Sequence, residues 1–492
     1  MRDRAALEAH LNSPTGRGRL ASSKHFGAAG GAACGDLIRM AVRVKGDRVV
    51  EAGFDARGCA AVRAAGSATV ELVEGEPVLE AARLTPDGVS EALGGLGAAH
   101  EHAAFFAADA LHRALGAAAA DGVPALAPSA NRTIVAMSGG VDSAVAAQIA
   151  LEAGHEVVAV TLELWADPAT DGEQSCCSPQ ALTGARALAH RMGLPHLTLD
   201  LRARFRAEVV DDFLSEHAAG RTPNPCVRCN GMVRFEEMLA LAERLGAARL
   251  ATGHYARVEG DGEGPLLSFG DDPDKDQSYM LARLAPEQLA RLWFPLGEMR
   301  KPAVRELARS RDLPVADRRE SQDLCFLSGI GKQAFLGRHT SVAGAGEGEI
   351  VDPGGDVIGR HGGHEQFTVG QRRGIGVSGT VPLYVLGTDP VANRVMVGER
   401  ARLATTRVEL RDAALHRSSG RVDAVKLRYR SQPVACRVDE SAARGSHAHL
   451  GLTLGTAAHG IAPGQTACLL EGRRVVGVGT IAARPEEPTL AG

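Results

Sequence analysis

The organisation of the chain follows from one stretch, Thr133-Ile134-Val135-Ala136-Met137-Ser138-Gly139-Gly140-Val141-Asp142-Ser143. Its apolar first half predicts a β-strand, its two glycines predict a tight turn, and the alanine-rich residues that follow predict a helix. Adjacent glycines let backbone N–H groups converge on an anion, and the helix directs its positive end to the same point. The stretch therefore predicts a phosphate-binding loop between a strand and a helix.

The spacing of this loop separates it from two common nucleotide-binding motifs. No Gly-Lys-Ser/Thr closes it as in a Walker loop, and it lacks the Gly-x-Gly-x-x-Gly of dinucleotide sites. Its Ser-Gly-Gly-x-Asp-Ser pattern instead resembles the signature of the PP-loop ATP pyrophosphatases. That family adenylates a carbonyl oxygen and releases pyrophosphate. The alternative is an ordinary strand-to-helix turn without a ligand.

Length, charge and cysteine content bound the possible functions. A chain of 492 residues predicts about three domains. Because 55 Lys and Arg stand against 59 Asp and Glu, no overall field attracts nucleic acid, and any RNA-binding surface must be local. Without a membrane-spanning run or a signal-peptide pattern, we expect a cytoplasmic protein that binds no membrane. Nine cysteines in that compartment indicate metal or redox chemistry.

Residues 1–118 form a separate predicted domain of the α+β type. Alternating residues over 42–54 predict a hairpin that turns at Lys45-Gly46-Asp47, and helical patterns follow at 60–73 and 102–115.

Two glycine-flanked cysteines, in Cys34-Gly35-Asp36 and Gly58-Cys59-Ala60, lie on either side of this hairpin. With the order of the elements, they resemble the IscU/NifU family of iron–sulfur scaffolds. Thiolates and a carboxylate on adjacent loops can hold iron or zinc. The family's last cysteine is replaced here by Ala103. The ligand set that the resemblance implies is therefore Cys34, Asp36, Cys59 and His102. A degenerate domain kept for docking is the alternative.

The rest of the chain divides into five predicted segments. Residues 119–131, rich in alanine and proline, predict a linker. Apolar segments alternate with helical stretches over 132–285, which predicts a doubly wound parallel α/β sheet, HUP-like by the PP-loop resemblance. Helical patterns dominate 286–345. Short strands broken by glycine predict a β region at 346–410 and a C-terminal β-barrel at 411–488, with a single β-sandwich as the alternative.

Three further motifs narrow the resemblance. They are Gly-Arg-Thr-Pro-Asn-Pro-Cys-Val-Arg-Cys-Asn at 220–230, Ala-Thr-Gly-His-Tyr at 251–255 with Asp-Lys-Asp-Gln-Ser-Tyr at 274–279, and Ser-Gln-Asp-Leu-Cys-Phe at 321–326. In this order after the phosphate loop, they resemble the MnmA family of tRNA-specific 2-thiouridylases. The resemblance implies that ATP adenylates the 2-carbonyl oxygen of the wobble uridine, which sulfur then replaces.

Cysteines in two of these motifs are the candidate catalytic residues. Cys226 and Cys229 form a Cys-x-x-Cys, a spacing that lowers the pKa of one thiol. The corner of a structural zinc site is the alternative, although no second Cys-x-x-Cys is present. By resemblance, Cys229 is the nucleophile and Cys325 carries the incoming persulfide. Cysteine at 226, where many relatives have aspartate, opens a second scheme in which all three thiolates hold a four-iron cluster.

The resemblance also implies the nucleotide and tRNA contacts. ATP, with Mg²⁺, would contact Ala136, Met137, Ser138, Gly139, Gly140, Val141, Asp142, Ser143, Leu162 and Gly253. The target base and the tRNA would contact Asn224, Pro225, Cys226, His254, Lys275, Asp276, Gln277, Arg428, Tyr429 and Gln465. Two alternatives stay open: Asp142 holds Mg²⁺ or caps a helix, and the segment 426–430 binds RNA or is a solvated strand face.

Two other functions stay open at this point. An amidating PP-loop enzyme would need an ammonia supply, and an iron–sulfur scaffold or delivery protein would use only the first domain. Thiolation requires tRNA and a sulfur donor, such as a cysteine desulfurase or a persulfide carrier. In that case we expect the first domain to supply sulfur or iron–sulfur equivalents across the linker. Cys436 and Cys468 are predicted to be buried apolar residues, whereas Cys176-Cys177 has no informative context.

Overall fold

The computed structural model describes residues 4–31, 35–166, 179–318, 324–339 and 346–483. These residues form an α+β domain, a parallel α/β domain, a four-stranded sheet and a closed barrel. Within the described ranges, every helix is too short or too polar to cross a membrane.

The first domain packs three antiparallel strands against helices. Its strands are β1 (Phe26–Gly30), β2 (Leu37–Lys45) and β3 (Arg48–Arg57). Its helices are α1 (Arg4–Asn12), α2 (Ala60–Val73), α3 (Val78–Ala81), α4 (Pro86–Ala92) and α5 (Glu101–Ala120), with a 3₁₀ turn at Ala98–His100. The β2–β3 pair confirms the predicted hairpin, and α2 has the predicted bounds.

The second domain is a parallel sheet in the order β10-β7-β4-β5-β6, which confirms the predicted doubly wound α/β class. Its strands are β4 (Ser129–Ala136), β5 (Glu156–Glu163), β6 (His196–Asp200), β7 (Ala247–Thr252) and β10 (Leu292–Trp293), and a hairpin of β8 (Ala256–Gly260) and β9 (Pro265–Phe269) lies outside the sheet. Its helices are α6 (Val141–Glu152), α7 (Pro179–Arg191), α8 (Arg202–Phe205), α9 (Asp211–Ala218), α10 (Pro225–Cys229), α11 (Phe235–Arg244), α12 (Pro286–Leu289), α13 (Lys301–Ser310) and α14 (Gly331–His339), with a 3₁₀ turn at Ser278–Leu281.

The region predicted to be helical, 286–345, is less independent than its sequence suggests. It contains β10, a strand of only two residues that pairs with β7. Helix α13 packs on α6. A strand this short carries no readable period, so its pattern could not reveal it.

Two π turns interrupt long helices in this domain. One, Arg206–Val210, joins α8 to α9, and the other, Asn230–Arg234, joins α10 to α11. Such turns often occur at functional sites. The second begins directly after the candidate nucleophile, Cys229.

Two all-β units follow. The strands β11 (Gly348–Val351), β12 (Val357–His361), β13 (Leu383–Asp389) and β14 (Arg394–Glu399) form a sheet in the order β12-β11-β14-β13, with a 3₁₀ turn at His364–Gln366. The barrel strands are β15 (Ala404–Leu415), β16 (Ala424–Lys426), β17 (Val434–Val438), β18 (Gly445–His459), β19 (Thr466–Glu471) and β20 (Arg474–Ile481), with 3₁₀ turns at Arg400–Leu403 and Ser419–Arg421. Pairing of β15 with β20 closes the barrel, so this unit is not half of a sandwich.

The boundary predicted between residues 410 and 411 falls inside β15. This strand contains charged residues at alternate positions and a bulge near Asp412, whose φ is 49°. The bulge lets β15 pair with both β18 and β20, and it also obscures the period of the strand. Residues 484–488, at the end of the predicted barrel domain, lie outside the described residues.

Helix α5 joins the first two domains because both sheets pack against it. On one side, a Cβ added at Gly27 of β1 would lie 2.2 Å from the Ala110 carbonyl oxygen of α5. On the other side, a Cβ added at Gly116 of α5 would lie 2.0 Å from the Thr198 carbonyl oxygen of β6. Most residues of α5 are buried, which requires packing partners on more than one side of the helix. The two domains therefore share one helix.

The segment 119–131, predicted to be a linker, is partly helix and partly strand. Helix α5 continues to Ala120, β4 begins at Ser129, and the Ala125 N–H donates to the Gly46 carbonyl oxygen at 2.8 Å. Alanine is both a strong helix former and common in linkers, so composition alone could not separate the two. The connection is a short docked segment.

Candidate functional site

The phosphate loop has the geometry that its glycines predict. Gly139 has φ 74°, and a Cβ there would lie 3.0 Å from the Ala181 carbonyl oxygen. Ser143 Oγ accepts from the Ser138 N–H at 3.2 Å and donates to the Gly140 carbonyl oxygen at 3.0 Å. These bonds close the loop on the first turn of α6, whose N–H groups are a natural anion site.

The other predicted nucleotide residues lie at the same end of the sheet. Ala136 ends β4, Leu162 is half-buried near the end of β5, and Gly253 directly follows β7. A Cβ at Gly253 would lie 2.6 Å from the Asp142 carbonyl carbon, so only glycine allows this approach. The carboxyl ends of parallel strands are the usual ligand site in open α/β sheets.

Asp142 of the loop is held by two residues that the sequence analysis missed. Its two carboxylate oxygens accept from Lys301 Nζ at 2.7 and 2.8 Å, and Oδ1 also accepts from the Tyr255 hydroxyl at 2.7 Å. Tyr255 ends the Ala-Thr-Gly-His-Tyr motif, and its sequence position gives no reason to pair it with Asp142. Nothing in the sequence pairs Lys301 with a residue 159 positions earlier.

The cysteine motif forms a capped helix start. Asn224 is the N-cap of α10, and its Oδ1 accepts from the Val227 N–H at 3.2 Å, with Pro225 at the first helical position. Cys229 is buried and Cys226 is half-buried. The two positions are three residues apart, so both thiols lie on one side of the helix.

Cys325 lies beside an aromatic cluster. The adjacent Phe326 ring is 5.1 Å from both the Phe213 and the Phe335 rings. Phe213 belongs to α9, whose Asp212 pairs with Arg228 of α10 at 3.3 Å. This ion pair connects the helix of the cysteine motif to the aromatic cluster next to Cys325.

Several predicted tRNA contacts form structural hydrogen bonds. Asp276 is buried, and its carboxylate accepts from Gly270 and Ser278 N–H groups and from the Ser278 hydroxyl. Gln277 Oε1 accepts from the Tyr255 N–H at 3.0 Å. The hydrogen bonds of these two residues set the shape of the loop 270–277, which contains Lys275.

His254 is enclosed by aromatic rings. Its ring lies 5.6 Å from Phe235 and 6.2 Å from Phe294, and its Nδ1 is 2.7 Å from the Thr252 hydroxyl. Burial and the nearby Arg234 guanidinium lower the pKa of His254 to about 3. The ring is neutral near pH 7 and can contact RNA only as an uncharged group.

Gln465 and Arg428 connect the domains around the cysteine motif. Gln465 Nε2 donates to the Thr222 carbonyl oxygen at 2.7 Å and binds the cysteine motif to the barrel. Arg428 donates to the Val369 carbonyl oxygen at 3.2 Å and to the Gly460 carbonyl oxygen, which joins the central sheet to the barrel.

Tyr429, next to Arg428, lies near the cysteine motif. Its ring is 6.2 Å from that of Tyr279. Burial and Asp276 raise the pKa of Tyr429, and Cys226 and Lys275 also affect it electrostatically.

The first domain brings together three of its four predicted ligands. Asp36, Cys59 and His102 have ligand atoms within 4.8 Å of one another, and Cys34 lies outside the described residues. His102 Nε2 is 2.8 Å from Asp36 Oδ2 and 3.9 Å from Cys59 Sγ. Ala103, at the position of the missing thiolate, is fully buried. Such a group could hold an iron or zinc ion.

Hydrogen bonds set the charge of this cluster. Burial opposes ionisation of Asp36, but bonds from Cys59 and His102 lower its pKa to about 2. Burial and the Asp36 carboxylate raise the pKa of the Cys59 thiol. A Cβ at Gly58 would overlap the Asp36 carboxylate, so glycine is required there.

The two cysteines predicted to be apolar lie in the barrel. Cys468 is fully buried, as predicted, and Cys436 is half-buried. Burial raises the pKa of both thiols to about 12. Cys176-Cys177 lies outside the described residues.

The fold and the loop define a PP-loop nucleotide-binding enzyme joined to a scaffold-like domain. Family models match four segments: a NifU-like N terminal domain at residues 3–120, a tRNA methyl transferase HUP domain at 131–329, a tRNA methyl transferase PRC-barrel domain at 333–399 and an aminomethyltransferase beta-barrel domain at 402–481. The start of the last model agrees with the start of β15.

Full-length relatives show the family. The bifunctional protein NifU/MnmA of Rubrobacter xylanophilus is 44% identical over 488 residues, which cover 96% of this chain and 97% of the relative. The tRNA-specific 2-thiouridylase MnmA of Geobacter metallireducens is 43% identical over 72% of this chain and 98% of its own length. That of Rhodospirillum centenum is 42% identical over 74% and 95%. The chain belongs to the family of bifunctional NifU/MnmA proteins.

Proposed function

We propose that this chain catalyses the ATP-dependent 2-thiolation of the wobble uridine of tRNA. The observation that carries the proposal is the pairing of a PP-loop with the Cys226–Cys229 helix start, in a chain 44% identical over nearly its whole length to a NifU/MnmA protein. The relatives named 2-thiouridylases favour thiolation over amidation. With a tRNA substrate, we expect the chain to act in the cytoplasm.

The first step activates the base. The 2-carbonyl oxygen of uridine attacks the α-phosphorus of ATP, the α–β phosphoanhydride bond breaks, and pyrophosphate leaves with the electron pair. Residues 138–143 and the start of α6 bind the leaving pyrophosphate through backbone N–H groups. The base then carries AMP as a leaving group on C2.

The second step transfers sulfur. The terminal sulfur of a persulfide on Cys325 attacks C2, and AMP departs with its bonding electrons. The Cys229 thiolate then attacks Sγ of Cys325, the S–S bond breaks, and the sulfur stays on the base. The cysteines are left as a disulfide, which an external dithiol reduces. Cys229 is buried and Cys325 is half-buried, which would limit the access of water to this exchange.

A four-iron cluster is a second way to present sulfur. The thiolates of Cys226 and Cys229, on one side of α10, and of Cys325 would be a donor set of the right chemistry. When bound, such a cluster would supply an iron that holds sulfide. Iron and sulfide assays on protein purified without oxygen separate this arrangement from the persulfide.

The tRNA would bind across the junction of the domains. Lys275, Arg428 and Tyr429 would contact it, because basic groups beside an aromatic ring suit a phosphate backbone and an unstacked base. Asn224, Pro225, His254, Asp276, Gln277 and Gln465 would form the supporting walls. We infer that most of these residues shape the site and that Lys275 carries the charge.

The first domain would supply sulfur or iron–sulfur equivalents to the second. Its Asp36, Cys59 and His102 cluster would hold the cargo, with Cys34 as a further thiolate. Delivery would follow the docked geometry, because α5 carries His102 at one end and contacts β6 near the other.

The proposed activity is tested by incubating the full chain with unmodified tRNA, ATP, cysteine and a cysteine desulfurase. We expect tRNA that is retarded on a mercury-containing gel, together with tRNA-dependent pyrophosphate release. Pyrophosphate release without thiolated tRNA, even with excess sulfide, would contradict thiolation.

The supply role is tested by the double variant C59A/H102A, with Cys436→Ala as the control. Removal of residues 1–118 would be a poor test, because it also strips α5 from β6. We expect the double variant to thiolate tRNA slowly when sulfur donor is scarce, and normally with excess sulfide. Unchanged rates under scarce donor would show that the domain serves only for docking.

A further inference from the structure

The Asp142 carboxylate is not open to a metal ion. Both of its oxygens accept from the Lys301 ammonium, at 2.7 and 2.8 Å, and Oδ1 accepts from the Tyr255 hydroxyl as well. Mg²⁺ needs an oxygen at about 2.1 Å and would be repelled by an ammonium group this close. The carboxylate therefore does not fit the role of a Mg²⁺ ligand.

Lys301 is held in place from three directions. Its side chain is almost completely buried, and its Nζ lies 5.7 Å from the centre of the Tyr255 ring. Its backbone N–H donates to Asp272 Oδ2 at 2.8 Å, which sets the start of α13. A buried ammonium with this many contacts is preorganised, so its position needs no reorganisation when a negative charge arrives.

Lys301 lies beside the phosphate loop. Asp142 is the second residue of α6, so its backbone N–H belongs to the open first turn. Helix α13 packs on α6, which brings Lys301 to that turn. The Lys301 ammonium contacts the carboxylate of Asp142, and the backbone N–H of the same residue is among those that would bind phosphate.

We propose that Lys301 binds the β- and γ-phosphates of ATP and that Asp142 is the positioning residue that holds it there. This inference rests on the proposed adenylation. As the α–β bond breaks, the electron pair passes to the oxygen of the departing pyrophosphate, and the Lys301 ammonium stabilises that charge.

The test compares the binding of ATP and AMP by calorimetry, because AMP lacks the phosphates that Lys301 would contact. We expect Lys301→Gln to weaken ATP binding by roughly 10- to 100-fold, the value of a charge-assisted hydrogen bond, and to leave AMP binding unchanged. Lys301→Arg should restore part of the ATP affinity. Arg309→Gln, an exposed change on the same helix, is the matched control.

Asp142→Asn distinguishes the positioning role from metal binding. We expect it to weaken ATP binding in the same way as Lys301→Gln, with the double variant no weaker than either single variant. A large rise in the Mg²⁺ concentration needed for ATP binding, seen only in Asp142→Asn, would overturn the inference. Equal weakening of ATP and AMP by Lys301→Gln would overturn it too. These binding measurements need no tRNA, so failure of thiolation in the unmodified chain would be a separate result.

Discussion

The Arg186 guanidinium of α7 is buried against the Asp109 carboxylate of α5, with Nη2 and Oδ1 2.5 Å apart. This ion pair joins the nucleotide-binding domain to the scaffold-like domain. Among the described residues, Nε and Nη1 of Arg186 have no hydrogen-bond partner, so the Asp109 carboxylate is the main group that balances the buried guanidinium charge. Loss of one partner from a buried pair leaves an uncompensated charge and typically costs about 3–5 kcal/mol. The two domains therefore depend on each other for stability.

Gly116→Val should destabilise the whole chain. The new Cβ would overlap the Thr198 carbonyl oxygen, and overpacking of this kind costs about 1–3 kcal/mol or more. Thermal unfolding followed by circular dichroism measures the effect. Ala117→Val, at the next and half-buried position, is the control and should change the melting temperature little. Equal melting temperatures for both variants would contradict close packing of α5 on β6.

The stability of the chain should fall as the pH drops from about 6.5 towards 4. Three histidines meet at the domain junction, where burial and the Arg186 charge lower the pKa of His190 to about 4 and the pKa values of His112 and His196 well below their usual value. In this range the unfolded chain binds protons that the folded chain does not. Lowering the pH therefore stabilises the unfolded state and decreases the free energy of unfolding.

The half-buried His190 allows a direct check of this pH dependence. The free energy of unfolding in urea should decrease less between pH 7 and pH 5 for His190→Gln than for the unmodified chain. Asp109, Arg113 and Glu163 also face this junction and are present in both proteins, so their contributions cancel in the comparison. Identical pH dependence would mean that His190 is accessible to protons when folded.

Cys229→Ser and Cys325→Ser should each abolish thiolation and leave ATP binding unchanged. The phosphate loop lies on another segment of the α/β domain, at the start of α6. Mercury-gel analysis of tRNA measures thiolation, and calorimetry measures ATP binding. Cys436→Ser, in the barrel, is the control for loss of a half-buried thiol. Thiolation by either active-site variant would remove that cysteine from the mechanism.

Lys275→Gln should reduce the salt dependence of tRNA binding by roughly one unit of slope, as expected for one phosphate contact. Arg428→Gln should behave differently, because this guanidinium binds the Val369 and Gly460 carbonyl oxygens and supports the domain junction. We expect it to lower the melting temperature as well. Filter binding over a range of salt concentrations, with Arg309→Gln as the control, measures the slopes. An unchanged slope for Lys275→Gln would place the RNA surface elsewhere.

Elements with a clear period could be predicted well from the sequence. The β2–β3 pair contains the predicted hairpin, and the bounds of α2 agree with the predicted helix. Helix α5 was predicted too short, because its last turn is alanine-rich and its second partner, β6, is nearly 80 residues further along the chain. Only the tertiary contact shows that these alanines are buried between two sheets.

In the candidate site, too, the sequence predicts local geometry but not contacts between distant segments. Glycine spacing predicts the phosphate loop, because Gly139 and Gly253 are required by close backbone approach. The roles of Asp276, Gln277 and Gln465 in holding loops could not be read from their motifs. The hydrogen bonds of Gln277 and Gln465 join separate segments, as Gln465 does with Thr222, whereas those of Asp276 are local but need the folded loop to form. Lys301 was missed for the same reason.

The loop 270–277 forms hydrogen bonds with both residues that hold Asp142. At one end, Asp272 accepts from the Lys301 N–H, and at the other, Gln277 exchanges two hydrogen bonds with the backbone of Tyr255. Lys301 and Tyr255 are the two residues that hold Asp142. A shift of this loop by a docking RNA would be passed to the phosphate loop through both ends. Such an interlock would guard the cell against futile hydrolysis, because the enzyme would cleave ATP efficiently only with its acceptor in place.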